Sequence, residues 1–356
     1  MKTRLVAMKV AIFFLSIANA SLADDGSGMK VSASVDAVGD FKANKDSKAS
    51  DRFDIREAEV LLYGPIDHLF DGSLSLAAHR ESGVSMFEVH EAHIASSKLI
   101  PRSRFKLGQF FLGVGRLNRF HRHEWPFITP PTVQARFFGD EGVVDSGAEY
   151  SYLLPLPFFL DLTVGLTNGF VYGHAHNEGE KPKQPTHYAR LGTYFGVFAD
   201  GGAQVGLNYL GRKAANNEMM TLFGTDIVAK WRSGSVIDFL LQSEVWHRTR
   251  KPEAGEVERS LGAYILPQAA LGSQMQFGIR LDYYSILTLK DVTGSDIPNY
   301  ELGIVPTLTY KASEFSSFRA AYSYGRVSQK GSEESRSDAF EVQTTFMLGA
   351  HPAHDF

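Results

Sequence analysis

The chain has 356 residues, with 33 Gly, 26 Phe, 14 Tyr, no Cys, 21% charged residues and a net charge of −4. Without cysteine there are no disulfide scaffolds, thiolate metal sites, Fe–S clusters or cysteine nucleophiles, and the near-balanced charge gives no support to nucleic-acid binding, which wants a basic stripe. A mean hydropathy of −0.15 is too polar for a bundle of membrane helices, so a long chain rich in Gly and aromatics reads as a large all-β protein.

Residues 1–23 read as a secretory signal peptide. Lys2, Arg4 and Lys9 form a positive start, Val10 to Ile17 is apolar, and Ser21 and Ala23 occupy the −3 and −1 places of a small-residue cleavage site, with Ala18 and Ala20 as a second option. The apolar run is well short of the ~20 residues a spanning helix needs. Removing it takes three basic and no acidic side chains from the net charge of −4, leaving −7. The remaining 24–356 reads as a single domain. No later stretch is long and apolar enough for a spanning helix, so a membrane form must be a closed β-barrel.

From Met29 onward the sequence falls into segments of about 10–15 residues, many alternating in polarity as tilted barrel strands do. In 236–245, Ile237, Phe239, Leu241 and Val245 oppose Asp238, Gln242 and Glu244. In 274–284, Met275, Phe277, Ile279, Leu281 and Tyr283 oppose Gln274, Gln276, Arg280 and Asp282. In 317–324, Phe318, Ala320 and Tyr322 oppose Ser317, Arg319 and Ser323; in 340–348, Phe340, Val342, Phe346 and Leu348 oppose Glu341, Gln343 and Thr345. A soluble sandwich also alternates. The barrel is favoured by aromatics near segment ends, which read as interface girdles: Tyr150, Tyr152, Phe158, Phe159, Trp231, Trp246, Tyr322 and Tyr324.

The spacing predicts sixteen strands, at about 29–43, 53–66, 71–82, 84–97, 103–114, 140–153, 158–170, 186–198, 202–213, 220–232, 235–249, 256–268, 271–285, 299–312, 315–329 and 336–349. Tight turns at 154–157, 199–201, 233–234 and 312–314 alternate with longer connections at 44–52, 115–139, 171–185, 250–255, 286–298 and 330–335. A short connection at Gly83 is the exception. Short turns on one rim and long loops on the other form the outer-membrane barrel pattern. The expectation is an antiparallel barrel with periplasmic turns, extracellular loops, periplasmic termini and no plug domain.

The signal peptide, the strand rhythm and the terminal Phe356 resemble a Gram-negative outer-membrane porin. The runs RFDIREAEVLLYGPID (52–67), RFKLGQFFLGVGRLNRFHRHEWPF (104–127), FFGDEGVVDSG (137–147) and THYARLGTYF (186–195) resemble a porin-like family related to phosphate-selective porins, some of them labelled zinc-regulated outer-membrane receptors. The resemblance implies a channel in the outer membrane of a Gram-negative bacterium. Its expected partners are outer-membrane lipid, small hydrophilic solutes, the outer-membrane assembly machinery and, as an open alternative, further copies in a homotrimer.

The residues themselves point to two candidate sites. The connection 115–139 holds Arg116, Arg119, Arg122 and Glu124, with Trp125 and three prolines. Folded inward, it would narrow the pore and set a transverse field against wall carboxylates; the alternative is a surface loop packed on the rim by Trp125 and Phe127. Lumen-wall candidates are Arg190, Lys230, Arg280, Asp282 and Arg319. The pairs His121-x-His123 and His174-x-His176, with His187 nearby, point the same way in extended chain. They are candidate Zn²⁺ or Cu²⁺ ligands, with a third donor expected from Glu124, Glu178 or His187; the alternative is loop histidines that are solvated or serve as hydrogen-bond partners within the loop. No nucleophile elbow, HExxH or phosphate loop occurs, so an enzyme is not expected. The function expected is passive diffusion of small hydrophilic solutes with no cofactor. The alternatives are a specific uptake barrel for an anion such as phosphate or a metal such as zinc, and a non-conducting structural barrel.

Overall fold

The computed structural model describes residues 28–42, 52–81, 84–169, 181–198, 200–234, 236–290 and 293–349. The proposed signal peptide, His174, His176 and Glu178 lie outside them. Sixteen strands are present. The first eight are β1 Lys30–Lys42, β2 Arg52–Pro65, β3 Asp71–Glu81, β4 Val84–Ser96, β5 Ser103–Phe111, β6 Val144–Leu153, β7 Phe159–Thr167 and β8 Gln184–Val197. The second eight are β9 Gly201–Lys213, β10 Met219–Ser233, β11 Val236–Lys251, β12 Glu258–Ala270, β13 Met275–Ile286, β14 Asn299–Lys311, β15 Ser316–Gln329 and β16 Ser335–Gly349. Each pairs antiparallel with its sequence neighbours, and β1 closes on β16 from Ser32↔Gly349 to Lys42↔Ala339, so the sheet has no edge. The predicted segments correspond one to one. The largest boundary change is around the longest connection, which runs 112–143 because β5 ends at Phe111 and β6 begins at Val144.

The burial pattern is that of a soluble protein turned inside out. Large apolar side chains of alternate residues stand exposed on the outer face, among them Phe87, Leu207, Phe223, Leu281 and Phe346. Their strand neighbours Asp226, Arg280, Asp282, Gln343 and Thr345 are buried inside. Water would oppose so large an apolar band; lipid accepts it, because a closed barrel satisfies every strand amide internally. The chain is therefore an outer-membrane β-barrel, and the predicted register of 274–284, with Leu281 outward and Arg280 inward, holds.

Four register shifts interrupt the period of two among the described residues, and two of them bear on the interior. Between β1 and β2 the pairing passes from Asp36↔Glu57 to Ala37↔Ile55, leaving Arg56 as an extra residue. Between β3 and β4 it passes from Ser75↔Glu91 to Leu76↔Val89, leaving His90 as an extra residue. A bulge of this kind re-aims side chains. Here it turns the consecutive pairs Arg56–Glu57 and His90–Glu91 all toward the interior.

The interior is also less polar than the alternation predicted. Trp246, expected in an interface girdle, lies on the inner face of β11 at 1% exposure. It joins Tyr188, Leu210, Leu222, Tyr264, Leu266 and Tyr284 in a patch on the lumen wall. That patch is covered by the long connection.

Candidate functional site

The segment 112–143 folds into the barrel and packs on that apolar wall. It consists of two 3-10 turns, Leu117–Arg119 and Arg122–Glu124, and one helix, α1, Thr132–Phe138. Its base is closed by the Leu112 amide donating to the Val143 carbonyl (3.1 Å). The Asn118 side chain bridges the same two strands of chain, donating to the Leu112 carbonyl (2.8 Å) and accepting from the Val143 amide (2.6 Å). Gly115 has φ +64° and lies so close to β11 that a Cβ there would sit 2.5 Å from Glu244 Oε2, so glycine is required on both counts. Its amide donates to Asn208 Oδ1 (2.8 Å), and the Leu117 amide to Glu244 Oε1 (2.9 Å).

Aromatic packing fixes the middle. Trp125, Phe127, Phe137 and Phe138 are each 1% exposed. Phe138 meets Trp246 edge-on with ring centroids 4.8 Å apart, Phe127 meets Tyr264 at 5.9 Å, and Phe137 meets Tyr284 at 5.9 Å, all favoured edge-to-face geometries. Trp246 fits because Gly224 on the adjacent strand has no side chain; a Cβ there would be 2.2 Å from the indole. The far end is held from two sides. Arg280 donates to the Thr129 carbonyl (2.5 Å), pairs with Asp282 (3.1 Å) and stacks its guanidinium over Phe127 (4.7 Å). Arg56 donates to the Ile128 carbonyl (2.6 Å) while paired with Asp36. The rim-packed loop with outward Trp125 and Phe127 is thus not what forms.

The three arginines of the segment separate. Arg116 is buried, with its guanidinium 4.3 Å from the Phe120 ring centroid; burial, then neighbouring Arg119, lowers its pKa to about 10. Arg122 pairs with Glu141 of the same segment (3.4 Å). Arg119 lines the principal cavity, about 850 Å³, bounded by Phe120 and by the strand residues Glu91, Arg104, Lys106, Glu149, Asp161 and Arg190. Glu124 accepts the His121 amide (3.0 Å), closing its own 3-10 turn.

The lumen-wall candidates all point inward, but most are tied to neighbours. Arg190 pairs with Asp226 (2.8 Å), which also accepts from Asn208 (2.7 Å). Arg280 and Asp282 lie under the inward segment. Arg319 donates to Gln343 (2.6 Å), and Lys230 is half-buried. Lys106 pairs with Glu149 (3.2 Å). Of these, Arg190, Arg280 and Lys106 are matched by carboxylates, whereas Arg319 is bonded to an amide.

His121 and His123 come together, with ring centroids 5.7 Å apart, but the third donor is not the expected one. His187 lies on the outward register of β8, beside Tyr209 (3.1 Å), away from the pair. Glu124 serves its turn instead. What surrounds the pair comes from the wall. His121 Nδ1 is 2.9 Å from Glu59 and its Nε2 3.3 Å from Glu91; His123 Nδ1 is 3.4 Å from both Glu57 and Glu59. Burial alone would lower the His121 pKa, but the carboxylates against both ring nitrogens outweigh it and hold it well above the ordinary value. Behind them stand His79 and His90, whose Nε2 atoms are 2.8 Å apart. The strand histidines and glutamates carry a signal in the sequence: the polar neighbours Arg56–Glu57 and His90–Glu91 break the alternation where the bulges fall.

No family model matches the chain. It is 25% identical over 338 residues to an uncharacterized protein of Aquifex aeolicus (strain VF5), covering 85% of this chain and 70% of that one. Among solved structures it is similar to OmpT, an outer membrane protein of Vibrio cholerae, with TM-score 0.61, 10% identity, and coverage of 92% of this chain and 99% of that one. It is similar to the anion-selective porin from Comamonas acidovorans, with TM-score 0.61, 10% identity and coverage of 90% and 99%. It is also similar to the outer membrane channel DcaP of Acinetobacter baumannii, with TM-score 0.60, 9% identity and coverage of 92% and 99%. At these identities the likeness is one of fold, and the fold is the outer-membrane porin barrel.

Proposed function

We propose that the protein is a passive diffusion channel for small hydrophilic solutes, and that the inward segment 112–143 sets its constriction. The carrying observation is that this segment is clamped inside the barrel at its base, middle and far end, with Arg119 on the side of the remaining cavity. Lipid-facing apolar residues hold the barrel, wall polar groups replace part of a solute's hydration, and the segment limits its size. The local pairing of wall charges supports passage of both ion signs over selective uptake of an anion such as phosphate. A neighbour of the same fold, Vibrio cholerae OmpT, is described in a trimer form; a homotrimer is proposed here as well, and native mass spectrometry in detergent tests it.

Planar-bilayer recording tests the channel. Replacing 117–128 with a short Gly/Ser connection should raise single-channel conductance and admit larger solutes. Unchanged conductance from a correctly folded variant would remove the constriction, and no stable current from the wild-type barrel would remove the channel.

A further inference from the structure

One cluster inside the barrel plays no part in holding the aromatic dock or lining the principal cavity. It lies where the end of the inward segment meets β2, β3 and β4. Glu57, His79, His90 and Glu141 each present a ligand atom, and all four atoms lie within 4.8 Å of one another. Three of the four residues are buried, at 2–7% exposure.

Two of the spacings approach those of a coordination shell. His79 Nδ1 stands 3.6 Å from Glu57 Oε2 and 3.7 Å from Glu141 Oε1. Bonds of about 2.0–2.2 Å to nitrogen and oxygen put ligand atoms around a tetrahedral ion about 3.3–3.6 Å apart. The opposite nitrogen of the same ring, His79 Nε2, is 2.5 Å from Glu88 Oε1. Metal-ligating histidines commonly turn their other ring nitrogen to a carboxylate in this way.

Chemistry narrows the ion. The His79 and His90 Nε2 atoms are 2.8 Å apart, and at most one hydrogen fits between them. The two imidazoles therefore stand together at one place on the wall. Five carboxylates, from Glu57, Glu59, Glu88, Glu91 and Glu141, converge on four histidines here. Two imidazoles with two carboxylates suit Zn²⁺ and its neighbours better than Mg²⁺ or Ca²⁺, which take oxygen shells. The strand pairing adds a structural reason. His90 is the extra residue of the β4 bulge, and without that bulge His90 and Glu91 would not both face inward.

We propose that Glu57, His79, His90 and Glu141 bind one divalent transition-metal ion of the Zn²⁺ class, stapling the end of the inward segment to the β2–β4 wall. Glu141 comes from the segment and the other three from the wall, so the ion bridges the two. His121, which with Glu59 and His90 also presents ligand atoms within 4.8 Å, flanks the site on the segment side.

The test uses the full barrel, folded in detergent and stripped with a chelator. Zn²⁺ titration followed by desalting and elemental analysis should retain about one ion per chain, and Co²⁺ should give the visible bands of a low-coordinate nitrogen–oxygen site. His79→Gln and His90→Gln should each lower affinity at least tenfold, with folding checked by heat-modifiable gel mobility. His187→Gln, on the outer face, should bind as wild type. Metal should also slow proteolysis of 112–143 in the wild-type barrel. No stoichiometric retention by the folded wild type overturns the proposal, and so does full-affinity binding by folded His79→Gln and His90→Gln variants. These readouts need no conductance, so they stand or fall apart from the channel reading.

Discussion

Arg280→Ala tests how the inward segment is held. In the docked state Arg280 is 2% exposed and neutralises Asp282, itself 5% exposed. It also satisfies the Thr129 carbonyl. Removing one partner of a buried ion pair costs about 3–5 kcal/mol, because the other charge is left buried. That cost falls on the docked state alone, since an undocked segment lets water reach Asp282. Against it stand four buried aromatics, each contributing roughly 1.5–3 kcal/mol by burial. The aromatics outweigh the lost pair, so the segment should stay docked on average. It should open between about a hundredfold and a few thousandfold more often, at ~1.4 kcal/mol per tenfold.

The measurement is amide hydrogen exchange across 127–135 in the folded barrel. Exchange there should accelerate by those factors while strand amides of β13 and β14 keep their protection. Bilayer recordings should show a near-wild-type open level with added brief fluctuations. Arg280→Ala/Asp282→Asn should recover part of the protection, because the orphaned charge is gone. If exchange in 127–135 is unchanged in Arg280→Ala, or the double variant exchanges no more slowly than the single, the clamp has no energetic role and the reasoning fails.

Other outcomes follow from the same geometry. Leu281→Arg places a charge on the lipid face and should cost about 2–4 kcal/mol near the midplane, read as loss of the folded gel band in outer membranes; normal assembly would refute the register. Gly224→Ala drives a methyl into the Trp246 indole and should cost about 1–3 kcal/mol in overpacking, seen as a weakened near-ultraviolet dichroism signal with the barrel intact. Arg119→Ala should shift reversal potential toward cations as much as the triple Arg116/Arg119/Arg122 neutralisation does, since Arg119 alone of the three lines the cavity. An epitope tag at Gly294 should be reached by antibody on intact cells; labelling confined to broken cells would reverse the assigned sidedness.

How much of this was legible beforehand depended on whether a residue's partners are near in sequence. Strand rhythm is local, so Leu281, Arg280, Phe346 and Thr345 could be assigned to faces from alternation alone. Trp246 could not. Its neighbours Glu244 and Gln242 mark the inner face, yet an indole on that face looks misplaced until Phe138 is known to cover it from more than a hundred residues away. The inward packing of 112–143 is a long-range match between two apolar surfaces, and neither half announces its partner. The histidines show the same division. His121-x-His123 was visible as a spacing, and the pair does come together, but the donors that complete the cluster come from β2, β3 and β4. Their inward orientation depends on two bulges. A bulge does leave a trace, in adjacent polar residues such as Arg56–Glu57 and His90–Glu91 within otherwise alternating strands. At the bulges that carry Arg56 and His90, both members of each adjacent polar pair are turned to the lumen. There, packed between wall and inward segment, they have a reason to be paired that lipid could never supply.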